Sequence, residues 1–309
     1  MSNSVQLAGP QQHLLEDEAH LLNSRGVIRL LGANAVDAVQ PSITNSLDNI
    51  EKKSVLAYML TASGKVFSDL FIISHEAGLL IECTRSLLPN ILERLSARCE
   101  KHNVTATDES HAWRVFGELP NQSTFDDGTP YKKYIDPRWH MGARILRPRT
   151  DFESSKWGHE NRWLAHALKL GVLPSAELLQ SVPVGPLEAN LHAIGVLHPE
   201  CVDDALQATL NSPTDQITQR VLPMRIEPNA FSFPTMTGFS VTTGDTEVGT
   251  VLTHQGVYAL VLTNLAKWRS ALQAGQTLRC AEQPVLITWP TWIASQSQGR
   301  VGPAGAAMH

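Results

Sequence analysis

The sequence predicts an α+β protein that ends in a small β-barrel or sandwich. Up to about residue 220, short β-like runs alternate with helical segments at close range. From Arg220 onward the texture changes to short apolar runs separated by Gly, Asn, Asp and Pro. The length of 309 residues gives room for two or three packed units.

The elements follow in order. GVIRLL (26–31) reads as a first strand. AVDAVQPSITNSLDNI starts as a helix and is broken by Pro41, which cannot donate to the helical ladder. Residues 54–61 and 65–74 read as a hairpin turning at Ser63-Gly64, and GLLIECT as a further strand. LLPNILERLSARCEKHN places Leu88, Ile91, Leu92 and Leu95 on one helical face. HAWRVFGEL (111–119) and ARILRPR read as strands, and PNQSTFDDGTPYKKYIDPRWHMG between them as a surface loop. ENRWLAHALKLGVL is a helix stopped by Gly171. RVLPMRIE, GFSVTT, TEVGTVLTHQG, VYALVLTN, QTLRC and PVLITWP supply the C-terminal β unit, with one helical interruption in NLAKWRSALQAG. The expected organisation is an α+β region over 1–220 made of two interleaved subdomains, a barrel over 221–294, and a flexible tail over 295–309.

Hydrophobic residues at 42% and charged residues at 18% describe an ordinary globular chain. The net charge of −5 argues against nucleic acid as a partner, which favours a basic surplus. No run approaches the ~18 apolar residues that a membrane span needs. The polar N-terminus lacks a signal pattern, so a cytoplasmic protein is expected. Cys83, Cys99, Cys201 and Cys280 are scattered with no CxxC pair, which argues against a metal or cluster held by thiolates. Cys83 reads as a core residue, Cys99 and Cys280 as surface or half-buried thiols. His159 and His166 stand about two helical turns apart, too far to share an ion, so no metal site is expected. No phosphate-binding glycine motif and no nucleophile elbow occurs.

Several residues invite a functional reading. Strand alternation puts Phe67, Asp69 and Phe71 on one face and Val66, Ser68 and Leu70 on the other. A carboxylate between two phenylalanines needs a partner, because burying an ion costs several kcal/mol unless it is paired. Asp69 is therefore either a site residue or a strand-end acceptor for a backbone N–H. Glu188 in PLEANL (186–191) stands at the start of a predicted helix, where the helix dipole alone favours an acid. In Asp136-Pro137-Arg138, Asp136 reads as a turn opener, and Arg138 is free to fork onto a carboxylate. Trp139 and His140 beside it suit either loop packing or a flat heterocycle.

Four phrases in register carry a resemblance. They are GANAVDAVQPSITNSLDNI, TASGKVFSDLFII, PLEANL, and RVLPMRI followed by TEVGTVLT, spread over most of the chain. Together they resemble the folate-binding family related to the glycine-cleavage T-protein, in particular its YgfZ-like and CAF17-like branch of iron–sulfur maturation factors. The resemblance implies a ring of three domains around a central hole holding tetrahydrofolate or a one-carbon derivative. It implies Asp69 as the catalytic group beside the folate nitrogens, and Asn45, Asp69, Arg138, Glu188 and Asn190 as cofactor-binding residues. Arg138 would meet the folate's glutamate tail; Glu188 and Asn190 would face the hole. Thr44-Asn45 match the family's early turn and Ser46 does not.

The departure falls after PLEANL, where the maturation factors carry a glycine-rich Lys-Gly-Cys-Tyr signature. Cys201 stands at the cysteine, but Pro199, Glu200, Val202 and Asp204 replace its neighbours. Acids around a thiol oppose its ionisation, so Cys201 is expected to be a poor nucleophile. The function expected first from the resemblance is folate-dependent one-carbon transfer; the alternatives are a divergent iron–sulfur assembly or repair factor with a protein partner, and a repurposed fold with a non-folate ligand.

Overall fold

A computed structural model describes residues 19–120, 122, 130–149, 157–179, 182–211, 217–227 and 236–296. The first stretch holds β1 (His20–Leu21), β2 (Arg25–Leu31), α1 (Ala35–Val39), β3 (Val55–Leu60), β4 (Val66–His75), β5 (Gly78–Thr84), α2 (Leu88–Lys101) and β6 (Thr105–Asp108). The middle holds β7 (Trp113–Glu118), β8 (Lys132–Ile135), β9 (Ala143–Pro148), β10 (Gly158–His159), α3 (Glu160–Leu170) and α4 (Asp204–Asn211). The C-terminal part holds β11 (Gln219–Ile226), β12 (Ser240–Thr243), β13 (Thr246–Gln255), β14 (Tyr258–Asn264), α5 (Leu265–Gln273), β15 (Leu278–Cys280), β16 (Gln283–Ile287) and α6 (Thr291–Gln296).

Two five-stranded sheets and one closed barrel result. The first sheet runs β3-β4-β5-β2-β6 and the second β10-β1-β7-β9-β8. The barrel runs β11-β14-β13-β12-β15-β16 and closes where β11 pairs with β16. One face of the first sheet is covered by α1 and α2, whose Ala38, Val39, Leu88, Ile91 and Leu95 pack on Leu30, Leu70, Ile72 and Ile81. Each buried Val, Leu or Ile among them contributes about 1.5–3 kcal/mol. The other face, with Val27, Tyr58, Phe71 and Leu80, joins a second core that continues through the second sheet, α3 and the barrel. The two sheets, α3 and the barrel thus share one continuous buried core.

Most of the expected elements are present within a residue or two. Pro41 ends α1, and the chain continues as a short 3-10 turn over Gln40–Ser42. Gly171 caps α3 in the left-handed conformation, φ 74°, which a residue with a Cβ adopts at a cost.

Four expectations are corrected. The loop expected between β7 and β9 contains β8, whose KKYI sequence carries one buried residue, Tyr134, between exposed ones. A short edge strand with lysines has too little apolar pattern to announce itself. The polar β6, TATD, escapes notice for the same reason. Cys99 and Cys280 are buried core thiols. The alternation around Asp69 is broken by a bulge, because Leu60 pairs with Val66 and Met59 with Ser68, leaving Phe67 unmatched. Phe67 therefore packs with the helices under Arg94, 3.8 Å above its ring, and only Phe71 shares the Asp69 face. Residues 297–309, most of the expected tail, lie outside the described residues. Among the described residues no helix is long and apolar enough to cross a membrane.

Candidate functional site

Strand parity places charge between the two sheets. On the first sheet Arg25, Asp69 and Glu82 share the face of Val27, Phe71 and Leu80. On the second sheet Arg144 shares the face of Leu146 and stands opposite Tyr134. Asp136 and Arg138 follow β8. All six charged residues are 3% exposed or less.

They form one network. Arg25 Nη1 lies 2.9 Å from Asp69 Oδ2, and Arg25 Nε donates to Glu82 Oε1 at 2.8 Å. Arg144 Nη1 donates to the same Glu82 oxygen at 2.8 Å and Arg144 Nε to Asp136 Oδ2 at 3.3 Å. Arg138 forks onto Asp136 at 2.8 and 2.5 Å and donates to the carbonyls of Leu173 and Pro174. The Tyr134 hydroxyl donates to Glu82 Oε2, and the Ala176 N–H donates to Asp69 Oδ1 at 2.9 Å. Phe71 and Trp163 wall the cluster, with the Arg144 guanidinium 4.7 and 4.4 Å from their rings. Gly117, opposite Arg144, leaves room for this wall, because a Cβ there would sit 2.4 Å from Trp163 Nε1.

Three guanidinium groups thus meet three carboxylates. Burial opposes the ionised form of Asp69, but Arg25, Arg138, the Ala176 N–H and Arg144 outweigh it and hold the carboxyl below its usual range. Asp136 is likewise opposed by burial and held low by Arg138 and Arg144. Burial opposes the charge on Arg25 too, yet Asp69 and Glu82 raise its pKa well above the ordinary value. Three polar atoms of the network remain buried with no hydrogen-bond partner: Arg25 Nη2, Arg144 Nη2 and Asp69 Oδ2. The contact of Asp69 Oδ2 with Arg25 is one of charges and not an aligned hydrogen bond.

The other predicted site residues lie apart from this spare capacity. Arg138 forks onto a carboxylate, but onto the chain's own Asp136, which is a buried ion and not merely a turn opener. Asn45 holds its own turn, donating to Leu56 O at 2.9 Å and accepting from the Ser46 N–H. Glu188 accepts from the Gly185 N–H at 2.6 Å and lies 3.6 Å from Lys65 Nζ, partly exposed. Asn190, at φ 62°, donates to Val221 O at 2.8 Å and accepts from Arg220 Nη1 at 2.7 Å. PLEANL forms turns and not a regular helix, and its Asn190 ties it to the barrel. Trp139 and His140 stack edge to face on each other at 4.8 Å.

Cys201 ends a 3-10 turn, Pro199–Cys201, and lines a cavity of about 310 Å³ with Thr44, Tyr58, Arg94 and Asp203. Its sulfur lies 3.3 Å from Gln40 Nε2 and 3.8 Å from His198 Nδ1. Burial, then Glu200 and Asp48, push the thiol pKa up, which suppresses the thiolate. Among the described residues no three His, Cys, Asp or Glu side chains gather as a metal site requires.

Arg25, Glu82 and Arg144 escape the sequence reading. The available signal is a charged residue in phase with the apolar face of its own strand: Glu82 in GLLIECT, Arg144 in ARILRPR, and Arg25 just before GVIRLL.

Comparison with known proteins agrees with this architecture. Residues 218–295 match the family model of the CAF17 C-terminal β-barrel domain. Among solved structures, the glycine cleavage system aminomethyltransferase T from Bartonella henselae is similar over 90% of this chain and 86% of its own, with a TM-score of 0.61 at 12% identity. No curated protein sequence matches the chain. The chain thus has a T-protein-like fold that ends in a barrel of the CAF17 C-terminal kind.

Proposed function

We propose that the protein binds a reduced folate at the buried charged centre and serves as an accessory binding protein rather than a one-carbon transferase. The observation that carries this reading is the spare hydrogen-bonding capacity of Asp69 Oδ2, Arg25 Nη2 and Arg144 Nη2 inside an otherwise satisfied network. One buried acceptor and two buried donors suit the mixed donor and acceptor edge of a pterin. Asp69, Arg25 and Arg144 would hold that edge; Asn45, Arg138, Glu188 and Asn190 keep the surrounding turns in place. Tetrahydrofolate or a one-carbon derivative would supply a carrier nitrogen there.

Asp69 favours binding over turnover. A group that moves a proton works best with a pKa near the operating pH. Asp69 is held ionised below the usual carboxylate range, and Arg25 already neutralises it. A thiol-based maturation role is disfavoured by the raised pKa of Cys201.

The test is calorimetric titration of the full chain with tetrahydrofolate. Saturable binding that weakens at least about tenfold in Asp69→Asn is the expected result, from loss of a charged hydrogen-bond acceptor. Absence of binding to the wild-type chain removes the folate reading and brings a non-folate ligand forward. Consumption of a one-carbon folate that stops in Asp69→Asn while binding persists would reinstate the transferase. Loss of cluster-enzyme rescue in Cys201→Ser would reinstate a thiol role.

A further inference from the structure

Arg220, at the start of β11, is buried to 4% exposure, and no carboxylate among the described residues pairs with it. Its Nη1 donates to Asn190 Oδ1 at 2.7 Å, and its guanidinium lies 5.6 Å from the Trp289 ring. Trp289 stacks on Trp268 of α5 at 6.2 Å, with the rings 15° apart. Trp268 Nε1, Trp289 Nε1 and His192 Nδ1 are buried without a hydrogen-bond partner. Indole N–H groups can only donate, so two of the three unmatched atoms are unmatched donors.

The electrostatics agree. Burial and then Arg269 lower the Arg220 pKa to about 10. Burial and then Arg220 lower that of His192 to about 4. A buried cation is ordinarily paired, because an uncompensated one is costly to hold. Among the described residues no carboxylate stands opposite this positive charge, and the buried amide of Asn190 fixes the guanidinium. His192 and Trp289 are half-buried, so the cluster reaches the surface on their side.

We propose that the seam between PLEANL and the barrel is an anion-binding site, in which Arg220, steadied by Asn190 and supported by Arg269, takes the phosphate or carboxylate group of a small solute. The site does not depend on the folate reading. Guanidinium and ring N–H donors serve both kinds of oxyanion.

Tryptophan fluorescence of the full chain reads the site through Trp289. The chain is titrated with inorganic phosphate and, separately, with succinate, with KCl holding the ionic strength constant. A saturable change with either probe is expected; phosphate alone indicates a phosphorylated ligand and succinate alone a carboxylate. Arg220→Gln is expected to abolish the change. Arg269→Gln alters an exposed residue and so leaves the fold intact; it is expected to weaken binding by about twofold or more. No saturable change in the wild-type chain beyond the KCl control overturns the proposal, and so does a change that survives at unaltered affinity in either folded variant. Neither probe is a folate, so this outcome and that of the tetrahydrofolate titration are separate.

Discussion

Two places in this molecule bury arginine, and they do it in opposite ways. Between the sheets, Arg25, Arg138 and Arg144 each touch a carboxylate within 2.9 Å. At the barrel seam, Arg220 is equally hidden, and among the described residues its side chain meets an amide and a ring but no carboxylate. The first arrangement is balanced in charge: removing any member strands another. The second is incomplete, and adding something improves it. Burial of a charge therefore does not by itself mark a ligand site; unmatched donors and acceptors do, and both places have them, while the seam lacks a counter-charge as well.

The largest effect expected from breaking this contrast is Arg144→Met. It leaves Glu82 short of one cation and Asp136 of another, and such one-sided removals cost about 3–5 kcal/mol. Urea unfolding checks this, and a loss below about 1 kcal/mol would show that the network is not the organising feature of the centre.

Acid comes next and separates the two places by pH. His192 is held neutral in the fold with its pKa lowered from 6.5 to about 4, and His20 in the second sheet behaves alike. The unfolded chain binds these protons first, so stability is full above 6.5 and falls as pH drops from there towards about 4. Asp69 and Asp136 are lowered from 3.8, so their contribution is full above that value and is lost only as pH falls further. Thermal melts across this range should show two successive declines, and His192→Gln should shrink only the upper one.

A smaller effect, of opposite sign to the first, is expected for Arg220→Gln in anion-free buffer. Removing an uncompensated buried charge while keeping an amide donor for Asn190 should raise stability by about 1 kcal/mol. A loss instead would mean that the guanidinium is a structural strut. The smallest effect is expected at the partly exposed pair Arg29–Glu76. Arg29→Gln should cost no more than about 1 kcal/mol in the same urea assay.

The sequence displays the fold better than the centre. The hairpin at Ser63-Gly64, the α2 stripe and the Gly171 stop are local signals, carried by turn chemistry and periodicity, and they reappear in place. Asp69 is visible as an anomaly, since a carboxylate in an apolar strand demands an explanation. Its partners are not visible, because Arg25 and Glu82 sit far from it in the chain and only the pairing of β2, β4 and β5 brings the three together. Phe67 misleads because a bulge changes its parity, and a bulge follows from the register of two strands rather than from either alone. Asn190 stands out in PLEANL, yet its partner Arg220 lies across a segment whose course no periodicity reveals.

The closure of the barrel has a consequence for how it can be rewired. β11 enters it and β16 leaves it side by side, with Met224 opposite Ile287. A short peptide could join those neighbouring strands, and fresh termini could be cut at the hairpin tip around Gly256, where a Cβ would meet nothing within 4 Å. Circular permutation at that tip would preserve every rung between adjacent staves, which makes the module a cassette whose covalent order is largely a matter of history.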